Sequence, residues 1–117
     1  MKRAFLGELE EVVLLTVAAL QDRTAERSAY CALITQTIDQ QMGRSISFPT
    51  VHTTLQRLAE KGFVDSQMGG ATAERGGRQK RLFTVTAAGQ RALIECRQVR
   101  AQLWGQIPTP ILQLWGA

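Results

Sequence analysis

Histidine and cysteine are scarce in this chain: His52 stands alone, and Cys31 and Cys96 lie far apart with no CxxC pair. One imidazole and two distant thiols do not make a zinc site. The thiols read as reduced, buried, small hydrophobes, which suits a reducing compartment. No serine, cysteine or carboxylate is placed by motif to form a catalytic unit with His52. No GxxxxGK[ST] run is present, so a phosphate-binding loop of that type is excluded. These shortages argue against an enzyme and imply no cofactor and no metal. Long apolar runs are also missing. The longest, Val12 to Leu20, is about half of what a membrane span needs. The N-terminus is no signal peptide, because its apolar stretch begins after three glutamates and no small-residue cleavage site closes it. A soluble, cytoplasmic protein without a membrane partner is expected.

Acid is lacking in one region. Residues 75–100 hold seven basic side chains (Arg75, Arg78, Lys80, Arg81, Arg91, Arg97, Arg100) and only one acidic, Glu95. Residues 1–28 are balanced by comparison, with four basic and five acidic. An uneven excess of this kind suits a polyanionic partner, although basic surfaces without that role are common. A length of 117 residues fits one domain with a modest core.

Periodicity supplies the elements. Leu6, Leu9, Val13, Val17 and Leu20 recur at spacings of three and four, predicting a first helix over 6–21. Glu8, Glu10 and Glu11 occupy its first turn, where the helix dipole favours negative charge. Val12, Leu14 and Leu15 make it apolar almost all round, so cover from a second subunit is expected. After a polar loop at 22–28, Ser28 can cap a second helix over 29–43. Tyr30, Leu33, Ile34, Thr37, Ile38 and Met42 form its stripe, and Gly43 stops it. Ser47 can cap a third helix over 47–62, where Pro49 is tolerated in the first turn. Val51, Leu55, Leu58 and Ala59 form its expected buried stripe. The opposite face carries Thr50, Thr53, Thr54, Gln56 and Arg57, without acid until Glu60. A short, polar, acid-free face suits an approach to phosphates and base edges.

Strand candidates at 63–70 and 80–86 flank a loop rich in glycine and arginine, giving a β-hairpin. Thr86 can cap a last helix over 87–104, in which Ala92, Cys96, Val99 and Leu103 follow a heptad-like spacing with Leu93 and Trp104 alongside. Two prolines break it by about 107, and Ile111, Leu112, Leu114 and Trp115 are too apolar for a free tail. They are expected to dock on the protein or across a dimer.

The order helix, helix, helix, strand, strand, long helix is that of a winged helix-turn-helix with an added C-terminal helix. The fold class is mainly α with a β-hairpin wing. Residues 1–86 form the DNA-binding domain, and 87–117 form the dimerisation helix and tail of the same structural unit. Double-stranded DNA is the expected partner. Ser47, Phe48, Pro49, Thr50, His52, Thr53 and Arg57 are the candidates on the third helix, and Arg75, Arg78, Lys80 and Arg81 those on the wing. Phe48 has a second reading as a core contact, and Arg75 a second reading as an ion-pair partner of Glu74. Leu9, Val13, Val17, Ala92, Cys96, Val99, Leu103 and Trp104 are the candidates for a homodimer seam. Trp104 reads as a large anchor in that seam or as the wall of a ligand pocket. A winged-helix module that binds another protein is the competing reading.

The chain resembles the PadR-like transcriptional regulators. The resemblance is carried by "LGELEEVVLLTVAAL", "AYCALI", "ISFPTVHTTLQRLAEKGFV" and "TAERGGRQKRLFTVTAAGQRAL", in that order, from residue 5 to about 100. The wing pattern is the most specific part, and the pattern of the third helix is shared with other regulators. The resemblance implies a dimeric DNA-binding repressor, with the first and last helices making the dimer. Some relatives bind planar aromatic or phenolic compounds near that interface, so a small aromatic effector is an implied partner. Four features depart from the family pattern: His52 replaces a tyrosine, Cys31 a glycine and Ala73 a proline, and the tail after Trp104 is additional. At His52, a neutral imidazole can donate one hydrogen bond in place of the phenol.

Overall fold

A computed structural model describes residues 6–21, 29–69 and 81–116. The elements are α1 (Glu8–Leu20), α2 (Cys31–Met42), α3 (Phe48–Glu60), β1 (Val64–Met68), β2 (Arg81–Val85), α4 (Ala87–Gly105) and α5 (Thr109–Trp115). β1 and β2 pair antiparallel with Ser66 opposite Phe83 and Val64 opposite Val85. The segment leading into α2 adds a rung on the other side of β2. Tyr30 bridges Leu82 antiparallel, and the Phe83 N–H donates to the Ala29 carbonyl at 2.8 Å. The fold is the expected one, mainly helical with a β-hairpin wing.

The apolar stripes of the first three helices meet in one core. Leu14, Ile34, Ile38, Leu55 and Leu58 are its largest fully buried members, joined by Val13, Val17 and Val51. Each such side chain contributes roughly 1.5–3 kcal/mol over leaving it exposed. Phe63 and Val64, with Phe83 and Val85, close the core from the hairpin side.

Short polar bonds fix how the elements meet. Thr86 caps α4 by accepting the Gly89 N–H at 3.0 Å, and its hydroxyl donates to the Gly62 carbonyl at 2.6 Å. One side chain thus ties the end of α3 to the start of α4. Gly89 is buried under it, where a Cβ would collide with the Phe63 carbonyl and stand 2.8 Å from Val85 Cγ1. Gln21 Oε1 accepts the Val85 N–H at 2.8 Å, anchoring α1 to β2. Arg100 on α4 forms a forked pair with Glu11 on α1, at 2.6 and 3.2 Å.

Three expectations change. α2 begins at Cys31 with Tyr30 at its N-cap, and Ser28 lies outside the described residues. Thr54, read as part of the polar face of α3, is buried, and Ala59, read as core, is exposed. Thr54 tolerates burial because its hydroxyl donates to the Thr50 carbonyl at 2.8 Å. α4 breaks at Gln106–Pro108, where the prolines predict, and the tail after it forms α5, with Pro110 in the first turn. The apolar side chains of its last turn stay open to solvent in the single chain. Leu114 is 81% exposed and Trp115 63%.

Candidate nucleic-acid interface

The first turn of α3 is built by Ser47. Its hydroxyl oxygen accepts the Thr50 N–H at 3.3 Å, and the Ser47 and Thr50 hydroxyls share a bond of 2.7 Å. That pairing leaves α3 starting cleanly at Phe48, with Pro49 in the turn where its missing N–H costs nothing. The approach to this turn is fixed from behind. Gly43 takes the left-handed conformation (φ 63°) that ends α2. The Ile46 N–H donates to Asp39 Oδ1 at 2.7 Å, so α2 itself holds the connection into α3. No pattern in the sequence points to Asp39. Its partner lies seven positions on, beyond the reach of any local capping pattern.

The core-facing side of α3 is Val51, Thr54, Leu55 and Leu58. Phe48, Pro49, Thr50, His52, Thr53, Gln56 and Arg57 are all exposed. The structure therefore brings every α3 candidate onto one outward surface, and of the expected polar face it buries only Thr54. Phe48 is exposed, so its core reading does not hold, and its ring stacks on that of His52.

At the far end of α3, Lys61 is held by Glu10 of α1 at 2.7 and 2.9 Å. Partial burial pushes the Glu10 carboxyl up. The Lys61 hydrogen bond, the Gly7 N–H and the charges of Lys61 and Arg57 outweigh that and leave it below its ordinary value. Lys61 is thus engaged within the chain, whereas Arg57 stays on the outer surface.

On the wing, Arg81 starts β2 on the exposed side and donates to Ser66 Oγ at 2.9 Å across the hairpin. Arg75, Arg78 and Lys80 lie outside the described residues.

The seam candidates divide. Val13 and Val17 have no exposed surface, and Ala92 is 4% exposed. These three are corrected to members of the chain's own core, because α1 packs on α2, α3, β2 and α4 at once. Leu9 and Cys96 are half-buried against that core, and Val99 is half-buried on α4. Leu103 and Trp104 are over half exposed, as is Ile94 on α4, and Leu15 on α1 is half exposed. Among the described residues no helix is long and apolar enough to cross a membrane.

Comparison with known proteins places this arrangement. The profile of the transcriptional regulator PadR-like family matches residues 22–95. A PadR-like transcription factor from Bacteroides fragilis superposes with a TM-score of 0.64 at 18% identity, over 81% of this chain and 82% of that one. A PadR-like transcriptional regulator from Bacillus cereus superposes with a TM-score of 0.61 at 16% identity, over 93% and 92%. Bacillus subtilis PadR, solved in complex with operator DNA, gives a TM-score of 0.58 at 19% identity. The alignment covers 75% of this chain and 45% of that longer one. No curated protein matches. With the winged helix-turn-helix in place and the profile spanning most of it, the chain belongs to the PadR-like family of transcriptional regulators.

Proposed function

We propose that the chain binds double-stranded DNA sequence-specifically as a homodimer and regulates transcription, as a repressor, from a pseudo-palindromic operator. The observation that carries this reading is the outward face of α3: Thr50, His52, Thr53, Gln56 and Arg57, exposed together and free of acid. Hydroxyl, amide and guanidinium groups on a helix are what phosphates and major-groove base edges accept. Thr53 and Arg57 are the residues for direct contact. The Ser47–Thr50 turn presents the α3 N-terminus, which suits a phosphate. Bacillus subtilis PadR, whose fold this chain shares, was solved on its operator DNA, which supports the same use here.

The homodimer is supported by the apolar surface left over on α4 and α5. Leu103, Trp104, Leu114 and Trp115 are each more than half exposed in the single chain. A two-fold dimer sets its recognition helices on half-sites about 34 Å apart. Repression then follows from occupancy of the site that transcription machinery needs. A small aromatic effector would act by shifting the population between dimer shapes that hold those helices at different separations.

Fluorescence anisotropy with the duplex upstream of the gene tests the proposal. Specific binding that weakens steeply as salt rises is expected, because phosphate contacts release counterions. Equal, weak binding to every sequence at physiological salt would favour a module that recognises another protein.

A further inference from the structure

One flank of α3 carries chemistry that phosphate contact does not use. Phe48 is 50% exposed on the first turn. Its ring lies parallel to that of His52 one turn later, with planes within 5° and centroids 6.4 Å apart. That separation is in the range of an offset aromatic pair. A helix advances about 100° per residue. Phe48 and His52 therefore share one flank of α3, Thr50 and Arg57 share the other, and Thr53 and Gln56 lie between. The stack holds the phenyl ring on the outer surface beside a ring that can donate a hydrogen bond. Leaving that apolar ring in water is unfavourable unless an apolar group covers it in a complex.

Base edges in the major groove differ in the pattern they present. Thymine alone offers a methyl group next to an acceptor, its C5-methyl beside O4. Cytosine presents a donor and no methyl, and neither purine presents a methyl. Phe48 matches the methyl, and an imidazole N–H of His52 matches O4. We propose that the Phe48–His52 pair reads a thymine in each half-site, with Phe48 covering the C5-methyl and His52 donating to O4. This assignment rests on the DNA-binding reading above and names a base that α3 selects.

The test compares two versions of the upstream duplex by anisotropy, one natural and one with every thymine replaced by deoxyuridine, which lacks only the C5-methyl. The parent protein should bind the deoxyuridine duplex about 4-fold more weakly for one covered methyl, and on the order of 10-fold for two half-sites. Phe48→Ala should bind both duplexes equally, near the parent's affinity for the deoxyuridine version. Phe48→Gln, polar and of similar reach, should do the same. Circular dichroism should show both variants folded, since the ring they remove is not in the core. His52→Ala should bind the natural duplex more weakly than the parent. The thymine assignment is overturned if the parent binds both duplexes alike, if the Phe48 variants keep the preference, or if His52→Ala binds like the parent. A parent protein that binds neither duplex removes the DNA-binding reading itself, which is a separate result.

Discussion

Asp39 on α2 accepts the backbone N–H of Ile46 at 2.7 Å, so the turn that leads into α3 is held by the helix before it. A hydrogen bond to a charged group contributes about 1.5–3 kcal/mol where it is shielded from water, and Asp39 and Ile46 are both half-buried. Asp39→Ala should lower unfolding free energy by about 1–2 kcal/mol in urea titrations. Asp39→Asn keeps an acceptor and should recover most of that loss. Because the same bond aims the first turn of α3, Asp39→Ala should also weaken DNA binding under conditions where the protein remains folded. An Asp39→Ala variant with parental stability would show that the turn is held by other means.

Gly89 tests the junction between hairpin and α4. Its missing Cβ makes room for the Phe63 carbonyl and the Val85 side chain. Both are fixed, the carbonyl by accepting the Thr86 N–H at 3.0 Å and Val85 by its place in the core. Gly89→Ala should therefore cost about 1–3 kcal/mol, the range of overpacking, and thermal denaturation would read it as a lower Tm. Gly105, with open space around the same position, is the control. Gly105→Ala should be neutral or slightly stabilising, since it removes a flexible residue from a helix end.

The Glu10–Lys61 pair makes a pH prediction. The folded Glu10 carboxyl lies below its ordinary value of 4.5, so the unfolded chain takes up this proton first as pH falls. The stability it contributes is fully present above about 4.5 and is lost as pH drops through the lower, folded value. Lys61 is 42% exposed, so solvent screens the pair and the effect stays under about 1 kcal/mol. Glu10→Gln should remove a small stabilisation at neutral pH and flatten the fall in stability below pH 4.5. Chemical denaturation across that range measures both. An unchanged acid limb in Glu10→Gln would mean that other carboxylates govern it.

Much of this architecture is legible in the sequence, and its exceptions have physical causes. Ser47 caps α3 and Thr86 caps α4 as their positions before apolar-periodic runs predict. The hairpin follows from two short β-rich runs around a glycine-rich loop. Thr54 reads as polar from its residue type, yet one bond to the Thr50 carbonyl satisfies its hydroxyl inside the helix. Val13 and Val17 read as seam residues because α1 is apolar nearly all round. Composition does not say which side its own chain consumes, and α1 is surrounded by four elements. Two prolines mark where α4 ends but give no sign of the short helix that follows. Pro110 occupies the first turn of that seven-residue helix, where its ring is tolerated. Asp39 carried no legible pattern, since its bond spans a turn whose shape is set by Gly43 and the packing of α2 on α3.

The basic wing predicts a salt dependence. Each phosphate neutralised on duplex DNA contributes about 0.9 to the slope of log affinity against log salt. A variant with Arg78→Ala, Lys80→Ala and Arg81→Ala should bind all duplexes more weakly to a similar degree, with the slope lower by about 2–3. Arg81 also donates to Ser66 across the hairpin, so circular dichroism should confirm that the variant keeps its fold. Parental binding would remove the wing from the interface.

Exposure at the end of α4 makes the proposed dimer open to a clean test. Leu103 is 58% exposed and Trp104 56% in the single chain. Neither supports the core of its own chain, so a polar change there leaves the fold intact. In a dimer the same positions are desolvated, and a buried unpaired charge is costly. Leu103→Asp should therefore sediment as a monomer at concentrations where the parent is a dimer, while its circular dichroism spectrum stays the same. Both tryptophans, Trp104 and Trp115, are more than half exposed in the single chain, so dilution of the parent through its dissociation range should shift the fluorescence of any that the dimer covers to the red as water reaches it. In Leu103→Asp the emission should already be red-shifted and independent of concentration. A dimer of unchanged stability in this variant would place the interface elsewhere and leave the apolar end of α4 for a different partner.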